Sequence, residues 1–130
     1  MAVEEIAFQH NHKRKIKSFK VVQCDEIDYS LKYADRSLLN ELFSLREEHD
    51  DILIVKNGLL TDTSYCNIVL ENNQQFFTPG TPLLKGTKRE ELLQSGLIQE
   101  AYLTVSDLVL FKRIHFINAM LDLHDLTLSL

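Results

Sequence analysis

The sequence has little glycine and proline, with four Gly and two Pro among 130 residues, and it has no tryptophan. It also lacks low-complexity tracts and internal repeats, so no stretch suggests a linker that would divide the chain. No apolar run approaches the roughly 20 residues that a membrane-spanning helix requires. We therefore expect a single domain over residues 1–130, with no membrane association.

Cysteine and metal-ligand patterns are equally sparse. The two cysteines, Cys24 and Cys66, lie far apart and form no CxxC or Cys/His ligand spacing, which favours reduced thiols. The histidines are scattered as well, so the sequence gives no support for a metal site. The run MAVEEIAFQHNHKRK has acidic residues where a signal peptide has a basic end followed by an apolar stretch. These features predict a cytoplasmic protein.

The balance of charge is acidic. The formal net charge of −5 at pH 7 argues against general nucleic-acid binding. Basic residues nevertheless concentrate in KRKIKSFK, from Lys13 to Lys20. The alternation within this run fits an edge strand, on which exposed lysines discourage pairing between sheets. A patch that contacts phosphate groups is the alternative interpretation.

The hydrophobic pattern of the first half predicts strands and one amphipathic helix. Asp35 or Ser37 can cap this helix, which has one apolar face and runs to about residue 48. Asn57-Gly58 is a strong hairpin signal between two apolar runs. The predicted strands are at residues 14–23, 52–55, 68–70 and 76–77, with a turn at 72–73 and an end to the last strand at Pro79.

The second half predicts one more helix and two more strands. In LLKGTKREELLQSG, Thr87 is a candidate N-cap and Gly96 a terminator, with Leu92 and Leu93 on the buried face. Strands follow near residues 100–105 and 114–119, separated by a turn or short helix that Ser106 can start. The sum is an α+β domain built around a largely antiparallel sheet with flanking helices.

Three features of chemical interest follow one another along the chain. They are Lys32, the loop LLTDTSYCN with Asp62 and Asn67, and Gly86 just before a helix start. Each alone has a common structural explanation, namely a surface lysine, a turn-forming aspartate and a helix cap. Together they describe a site for pyridoxal phosphate (PLP). A desolvated lysine forms a Schiff base, a buried carboxylate keeps a heteroaromatic nitrogen protonated, and a helix N-terminus binds phosphate.

These features lie in a run that strongly resembles the second, larger domain of class IV PLP enzymes. The run begins LKYADRSLLNELF and continues as DDILIVKNGLLTDTSYCNIVLENNQQFFTPGTPLLKGTKREELLQSGLI. The family comprises branched-chain aminotransferases, D-amino-acid transaminases and aminodeoxychorismate lyases. The resemblance covers roughly residues 29–120, and the late segment SDLVLFKRIHFINAM is closer to the lyase branch. It implies the C-terminal domain of the class IV fold.

The resemblance implies a role for each motif residue. Lys32, with Arg36 shortly after it, takes the place of the lysine that holds the cofactor and then moves the proton at the substrate's α-carbon. Asp62 and Asn67 fall in the loop that supplies a carboxylate to the pyridine nitrogen. The implied phosphate-binding and pocket-lining residues are Gly86, Thr87, Lys88, Asn118 and Ala119.

The sequence departs from the family pattern in three respects. Asp62 stands where most members have Glu, and Lys88 replaces the threonine of the phosphate-binding turn. The family's smaller N-terminal domain supplies an arginine to the phosphate and a wall of the substrate pocket. That domain is expected to be absent, because the chain begins where it should end, either as a fragment of a longer polypeptide or as a shortened gene product. Its loss would weaken cofactor binding and expose the bound cofactor to water.

Two functions remain as alternatives. The resemblance implies PLP-dependent aminotransferase or 4-amino-4-deoxychorismate lyase chemistry on a small-molecule amine, in a homodimer, once an N-terminal domain is supplied. The other alternative is a non-catalytic, truncated remnant that serves as a dimeric or partner-binding domain. The sequence does not separate transaminase from lyase, and it leaves open whether this chain alone is an enzyme.

Overall fold

A computed structural model describes residues 18–27 and 36–130 of the chain. Lys32, Asp35 and the first part of the strand predicted at 14–23 lie outside these ranges, and the side chain of Arg36 is not described. The elements, in chain order, are β1 (Phe19–Gln23), α1 (Arg36–Phe43), a 3₁₀ helix (Ser44–Arg46), β2 (Asp51–Lys56), β3 (Leu59–Leu60), β4 (Asn67–Asn72), β5 (Gln75–Pro79), α2 (Thr87–Ser95), β6 (Gln99–Ala101), a 3₁₀ helix (Val105–Leu110), β7 (Arg113–Ile117) and β8 (Thr127–Ser129).

The first sheet has three strands in the order β1-β2-β3. β1 pairs in parallel with β2, and the register places Phe19 opposite Asp51. β2 and β3 form an antiparallel hairpin whose turn residues, Asn57 and Gly58, have φ angles of 53° and 81°. A two-residue hairpin turn requires such positive angles, which Asn and Gly adopt at low steric cost. The predicted hairpin is therefore confirmed.

The second sheet has five strands in the order β6-β5-β4-β7-β8. β4 pairs antiparallel with both β5 and β7, and β7 pairs antiparallel with β8. Only the β5–β6 pair of this sheet is parallel. The turn between β4 and β5 places Asn73 and Gln74 at φ angles of 50° and 67°, one residue later than predicted. The largely antiparallel sheets and the few helices confirm the α+β fold class.

β2 lies between two hydrophobic clusters and is buried along most of its length. Leu53 and Val55 belong to a cluster that also contains residues of β4 and β7. Ile52 and Ile54 belong to a second cluster, together with Leu39 and another residue of α1. Because alternate residues of a strand point to opposite faces, α1 packs on one face of β2 and the second sheet on the other. This packing fixes α1 against the strand that leads to the loop carrying Asp62.

The two α-helices differ from prediction at their ends. α1 is shorter than expected, since it ends at Phe43 and continues only as the 3₁₀ helix. At the start of α2, Gly86 is the N-cap, so the prediction of a Thr87 cap is wrong, and Thr87 is the first helical residue. Gly96 ends α2 as predicted, with a φ of 81° and its N–H donating to the carbonyl of Leu93. A left-handed residue at this position is a common helix terminator.

The C-terminal strands are shorter and more numerous than predicted. β6 covers Gln99–Ala101 only, because a 3₁₀ helix begins at Val105. Thr104 caps this 3₁₀ helix in place of Ser106, and Thr104 and Asp107 bond reciprocally as a capping box. β7 overlaps the strand predicted at 114–119, but it begins one residue earlier and ends two residues earlier, at Ile117. β8 has no counterpart among the predicted elements.

Several smaller expectations are answered by the described part of the chain. Within residues 18–27 and 36–130, no helix is long and apolar enough to cross a lipid bilayer. Cys24 and Cys66 are both buried, and neither forms a disulfide, as predicted. At the end of the basic run, Lys20 lies on β1, the outer strand of its sheet, and its ammonium lies 2.9 Å from the carboxylate of Glu47.

Candidate active site

A cavity of about 440 Å³ opens where three loops meet α1. The loop between β3 and β4 forms one part of its wall, and the loop that leads into α2 forms another. Residues just after β7 close a third side. The lining residues are Leu39, Asp62, Thr63, Ser64, Tyr65, Cys66, Asn67, Leu83, Leu84, Lys85, Gly86, Thr87, Asn118 and Ala119.

Asp62 is the acidic group of this cavity, and its side chain is buried, with 4% of the residue exposed. Its Oδ2 accepts hydrogen bonds from the backbone N–H groups of Leu83 and Leu84, at 3.0 and 3.2 Å, and from Asn67 Nδ2 at 3.3 Å. Its Oδ1 is buried and has no hydrogen-bond partner among the described residues. One carboxylate oxygen is therefore held firmly in place while the other lacks a donor.

Burial raises the pKa of Asp62 from 3.8 to about 7, since a desolvated carboxylate is disfavoured relative to its neutral form. The backbone donors of Leu84 and Leu83 and the charge of Arg89 oppose this shift without cancelling it. The nearby hydroxyl of Thr61 donates instead to the carbonyl of Ile54, at 2.7 Å. A further donor at Oδ1 would favour the charged form. The site therefore fits a ligand that carries a cationic or strongly polar N–H.

Asn67 joins the carboxylate to the start of α2. Its Nδ2 donates both to Asp62 Oδ2 and to the carbonyl of Leu84, the latter at 2.8 Å. Its Oδ1 accepts the N–H of Gly86 at 3.2 Å. Both donor hydrogens and the oxygen of the amide are thus engaged within the protein. Asn67 acts as a brace that sets the separation between Asp62 and the helix N-terminus.

Gly86 has to be small because the brace passes directly against it. A Cβ at this position would lie 2.6 Å from Asn67 Oδ1, closer than real Cβ atoms approach other heavy atoms. The φ of Gly86 is −69°, so the requirement is close approach and not backbone conformation. The glycine before the helix is therefore explained by the contact with Asn67.

A buried carboxylate outside the cavity supports the loop that carries Asp62. Asp51 is fully buried, and its Oδ1 accepts from Ser64 Oγ at 2.7 Å and from the N–H of Ile52 at 2.7 Å. The hydroxyl of Thr63 accepts the N–H of Cys66 at 3.0 Å and so closes a tight turn. These bonds give the loop a fixed shape.

The N-terminus of α2 contributes backbone donors to the cavity rim. Gly86 and Thr87 line the cavity, and the first N–H groups of a helix have no partners within the helix. Because the N–H of Gly86 is bonded to Asn67, the donors that remain belong to the first helical turn, which starts at Thr87. Together with the helix dipole, such donors favour an anion.

On the third side of the cavity, Asn118 shapes the turn after β7. Its Oδ1 accepts the N–H groups of Met120 and Leu121, at 2.8 and 2.9 Å. Its Nδ2 lies 3.6 Å from the sulfur of Cys66, on the opposite loop. Asn118 therefore ties the wall formed after β7 to the loop that carries Asp62.

The cavity brings together most of the site residues that were predicted from sequence. Lys32 lies outside the described residues, and the side chain of Arg36 is not described, so both stay predictions. Lys88 does not line the cavity, and its ammonium lies 3.1 Å from Glu91 and 3.6 Å from Asp122. The predicted residues that line the cavity are Asp62, Asn67, Gly86, Thr87, Asn118 and Ala119.

Sequence reasoning missed two kinds of lining residue. Leu39, Leu83 and Leu84 were treated as ordinary apolar positions, although each forms part of the wall. Lys85 also lines the cavity, although the family motif points to Lys88, after the glycine, and not to the lysine before it. The signal that could have identified Lys85 is its position immediately before a helix N-cap, where a side chain lies close to the free N–H groups.

The comparisons with known proteins cover most of the chain. The sequence profile of the class IV amino-transferases matches residues 8–126. An uncharacterized protein of Haemophilus influenzae is 51% identical over 110 residues, which are 84% of this chain and 58% of that protein. The chain thus spans less than two thirds of the length of this curated relative.

Solved structures share the fold. A candidate 4-amino-4-deoxychorismate lyase from Haemophilus somnus 129PT is 43% identical, with a TM-score of 0.80, over 86% of this chain and 58% of that one. A hypothetical aminotransferase from Mycobacterium tuberculosis, in its PLP-bound form, is 18% identical, with a TM-score of 0.69, over 86% of this chain and 47% of that one. The second likeness concerns the fold alone. Because the class IV profile matches residues 8–126, most of its length, the chain belongs to the class IV aminotransferase family.

Proposed function

We propose that the chain binds PLP in the cavity through Lys32 and acts on the amino group of a small-molecule substrate, as an aminotransferase or a 4-amino-4-deoxychorismate lyase. The observation that carries this proposal is Asp62, which lines the cavity together with the start of α2 and whose buried Oδ1 has no hydrogen-bond partner among the described residues. A ring N–H would satisfy that oxygen. The phosphate of the same molecule would suit the helix N-terminus.

The residues of the cavity fit this cofactor at both ends. When bound, PLP supplies an electron sink for the negative charge left on the substrate's α-carbon when a bond there breaks. Asp62 would hold the pyridine nitrogen protonated, which strengthens that sink. Asn67 would keep Asp62 at a fixed separation from the α2 donors. The backbone N–H groups of the first turn of α2, which starts at Thr87, would hold the phosphate.

The chain on both sides of Lys32 supports its assignment as the attachment point. Ile27 is fully buried, and its carbonyl accepts a hydrogen bond from the ammonium of Lys56. On the other side, Leu39 lines the cavity, and Arg36 begins the same helix. Lys32 precedes Arg36 by four positions, over which an extended chain covers at most about 14 Å, and we propose that the lysine reaches the cavity from there. Its free amine would then move the proton at the substrate's α-carbon.

The lyase reaction is the better supported of the two. The Haemophilus somnus protein, named as a candidate 4-amino-4-deoxychorismate lyase, is 43% identical to this chain. In this version the substrate loses pyruvate and its ring becomes aromatic as 4-aminobenzoate. In the aminotransferase version the substrate's amino group is instead passed on to a keto-acid acceptor, and the substrate keeps its carbon skeleton. The two reactions differ in product, so pyruvate release separates them.

We propose that catalysis also needs residues of a second domain beside the cavity. The chain corresponds to 58% of the Haemophilus influenzae relative, and we assign it to the larger domain of the class IV fold. A smaller N-terminal domain would add an arginine for the phosphate and a pocket wall that excludes water. A homodimer and a cytoplasmic location are part of the same proposal. Sedimentation of the purified chain tests the dimer.

The experiment that tests cofactor binding uses the purified chain. PLP is added, the yellow absorbance band is recorded, borohydride is used to fix the adduct, and the modified lysine is located by mass spectrometry. We expect one adduct, on Lys32, and loss of the band in Lys32→Ala. Lys112→Ala is the matched control, because Lys112 lies on the surface away from the cavity and its loss should leave the band unchanged.

The alternative is a folded remnant that no longer binds the cofactor. It is favoured if wild-type protein gives no band, or if the label spreads over many lysines. Pyruvate release is then measured after adding the part of the Haemophilus influenzae relative that lies outside the matched 110 residues. A specific adduct on Lys32 without any turnover in that mixture would support the binding site and contradict the enzymatic part of the proposal.

A further inference from the structure

We propose that Lys85 binds the phosphate group of PLP at the N-terminus of α2, so that this chain itself supplies a cation to the phosphate. The inference rests on the proposed function, because it assumes that PLP occupies the cavity. It assigns Lys85 a role that neither the motif pattern nor the comparisons give it.

The position of Lys85 is the first argument. It lines the cavity directly beside Gly86 and Thr87, the residues at which α2 begins. The free N–H groups of the first helical turn and the helix dipole attract an anion to this point. A second feature of the same cavity indicates a ligand, namely the buried, unpartnered Oδ1 of Asp62. The N-terminus of α2 and the carboxylate of Asp62 thus belong to one cavity.

The availability of the Lys85 ammonium is the second argument. Lys85 is exposed, and no residue of the described ranges forms an ion pair or hydrogen bond with its ammonium. It is also the only Lys or Arg among the lining residues that the structure describes. A lysine in this state loses little by turning toward a bound phosphate, with which it forms a charge-assisted hydrogen bond.

The neighbouring basic residues are already engaged, which is the third argument. Lys88 lies between Glu91 and Asp122, and these carboxylates raise the pKa of its ammonium by hydrogen bonding and charge. Arg89 is buried, and its guanidinium bonds to the carbonyl of Pro79 and to the carboxylates of Glu90 and Glu100. Since neither of these lines the cavity, Lys85 is the basic residue placed for a ligand phosphate.

The test compares PLP with pyridoxal, which lacks the phosphate. Dissociation constants for both are measured by absorbance titration of wild-type, Lys85→Ala, Lys85→Arg and Lys88→Ala proteins. We expect Lys85→Ala to weaken PLP binding about 10-fold, the low end for a hydrogen bond to a charged group, and to change pyridoxal binding less than 2-fold. Lys85→Arg should keep most of the PLP affinity. Lys88→Ala is the matched control and should change neither constant.

Competition by inorganic phosphate gives a second readout. Phosphate should compete with PLP in the wild type and less effectively in Lys85→Ala. Equal PLP-to-pyridoxal ratios in wild type and Lys85→Ala would overturn the inference, as would an equal loss for Lys88→Ala. Failure of the wild type to capture PLP at all would overturn the proposed function as well, so the two failures are distinguishable. Unchanged melting temperatures would show that each variant is folded.

Discussion

At the scale of single residues, the site depends on how a few polar atoms are shared. Within residues 18–27 and 36–130, one oxygen of Asp62 has several donors and the other has none. Asn67 uses its whole amide to connect that carboxylate with Gly86. The Asn67 amide is therefore expected to position Asp62 and the helix N-terminus and not to bind a ligand itself.

Replacement of Gly86 by alanine should disturb this connection. The new Cβ would lie 2.6 Å from Asn67 Oδ1, so the amide has to move and lose its bond to Asp62 or to the helix. We expect a loss of about 1–3 kcal/mol in the free energy of unfolding, as for other overpacked sites, together with weaker PLP capture. Urea denaturation and absorbance titration measure the two effects.

Gly80→Ala is the matched control for this substitution. The nearest atom to a Cβ at Gly80 belongs to the exposed Tyr102 ring, at 3.4 Å, and that ring can move aside. The carbonyl of Ala101, at 3.7 Å, is in ordinary van der Waals contact. Its stability and its capture of PLP should stay close to wild type. If Gly86→Ala proved equally harmless, the brace formed by Asn67 would not be what fixes the carboxylate.

At the scale of elements, β4 and β7 carry a second polar cluster, away from the cavity. Fully buried His115 on β7 contacts Glu71 Oε1 on β4 through Nε2, at 2.8 Å, and Thr127 Oγ1 on β8 through Nδ1, at 2.8 Å. The ring of His124 packs edge-on against it, 4.8 Å between centroids. Burial, the largest effect, lowers the pKa of His115 below 6.5, although Glu71 opposes the shift.

This cluster should make the strand pairing sensitive to acid. Since the folded state binds a proton at His115 less readily than the unfolded chain, stability is present above pH 6.5 and is lost as pH falls through the lowered pKa. The measurement is urea denaturation between about pH 7.5 and about pH 5, the interval in which histidine side chains usually titrate. It is made in the Asp62→Asn background, which removes an opposing contribution from Asp62.

In that background, His115→Phe should flatten the dependence on pH, even though it lowers stability by leaving Glu71 and Thr127 without their partner. His124→Ala is the control, because it keeps the buried His115 ring. It should retain most of the dependence of the free energy of unfolding on pH. An unchanged slope in His115→Phe would show that other groups cause the acid sensitivity.

The elements also show what a sequence can and cannot predict. The Asn57-Gly58 hairpin and the end of α2 at Gly96 depend on local backbone conformation, which residue type determines directly. β8 depends on pairing with β7, a long-range contact that leaves only a weak local pattern. In the site, Asp62 and Gly86 were recognisable by motif spacing. Lys85 was not, because its importance comes from the pairing of its neighbours.

At the scale of the whole molecule, burying Asp62 makes stability depend on pH. A carboxyl whose pKa rises from 3.8 to about 7 on folding holds its proton more tightly in the folded state. The free energy of unfolding therefore falls as pH rises through this interval, and the loss is complete above it. The size of this contribution is on the order of a few kcal/mol.

Asp62→Asn should remove this penalty and the cofactor site together. We expect the variant to have a higher melting temperature than wild type at about pH 8, one unit above the raised pKa of Asp62. The difference in melting temperature should be smaller at about pH 5, in the lower part of the interval between the two pKa values of Asp62. Its PLP capture should be lost or weakened at least about 10-fold, because an amide cannot pair with a ring N–H as an anion does. Scanning calorimetry and absorbance titration measure both effects.

Asp62→Glu is the control that keeps the charge, and it should keep much of the PLP capture. The same melting difference at both pH values in Asp62→Asn would show that the carboxylate is not destabilising when charged. Full PLP capture by Asp62→Asn would contradict the assignment of Asp62 to the ring nitrogen.

If PLP is bound as proposed, Oδ1 of Asp62 would also affect how long the protein survives in a cell. Only the folded chain offers this oxygen to a ligand, so occupancy shifts the population away from unfolded forms by mass action. Proteases degrade unfolded chains, and a difference of about 1–2 kcal/mol in the free energy of unfolding changes protein abundance several-fold. Protein levels of this chain would then follow the vitamin B6 supply of the cell, with empty copies degraded first.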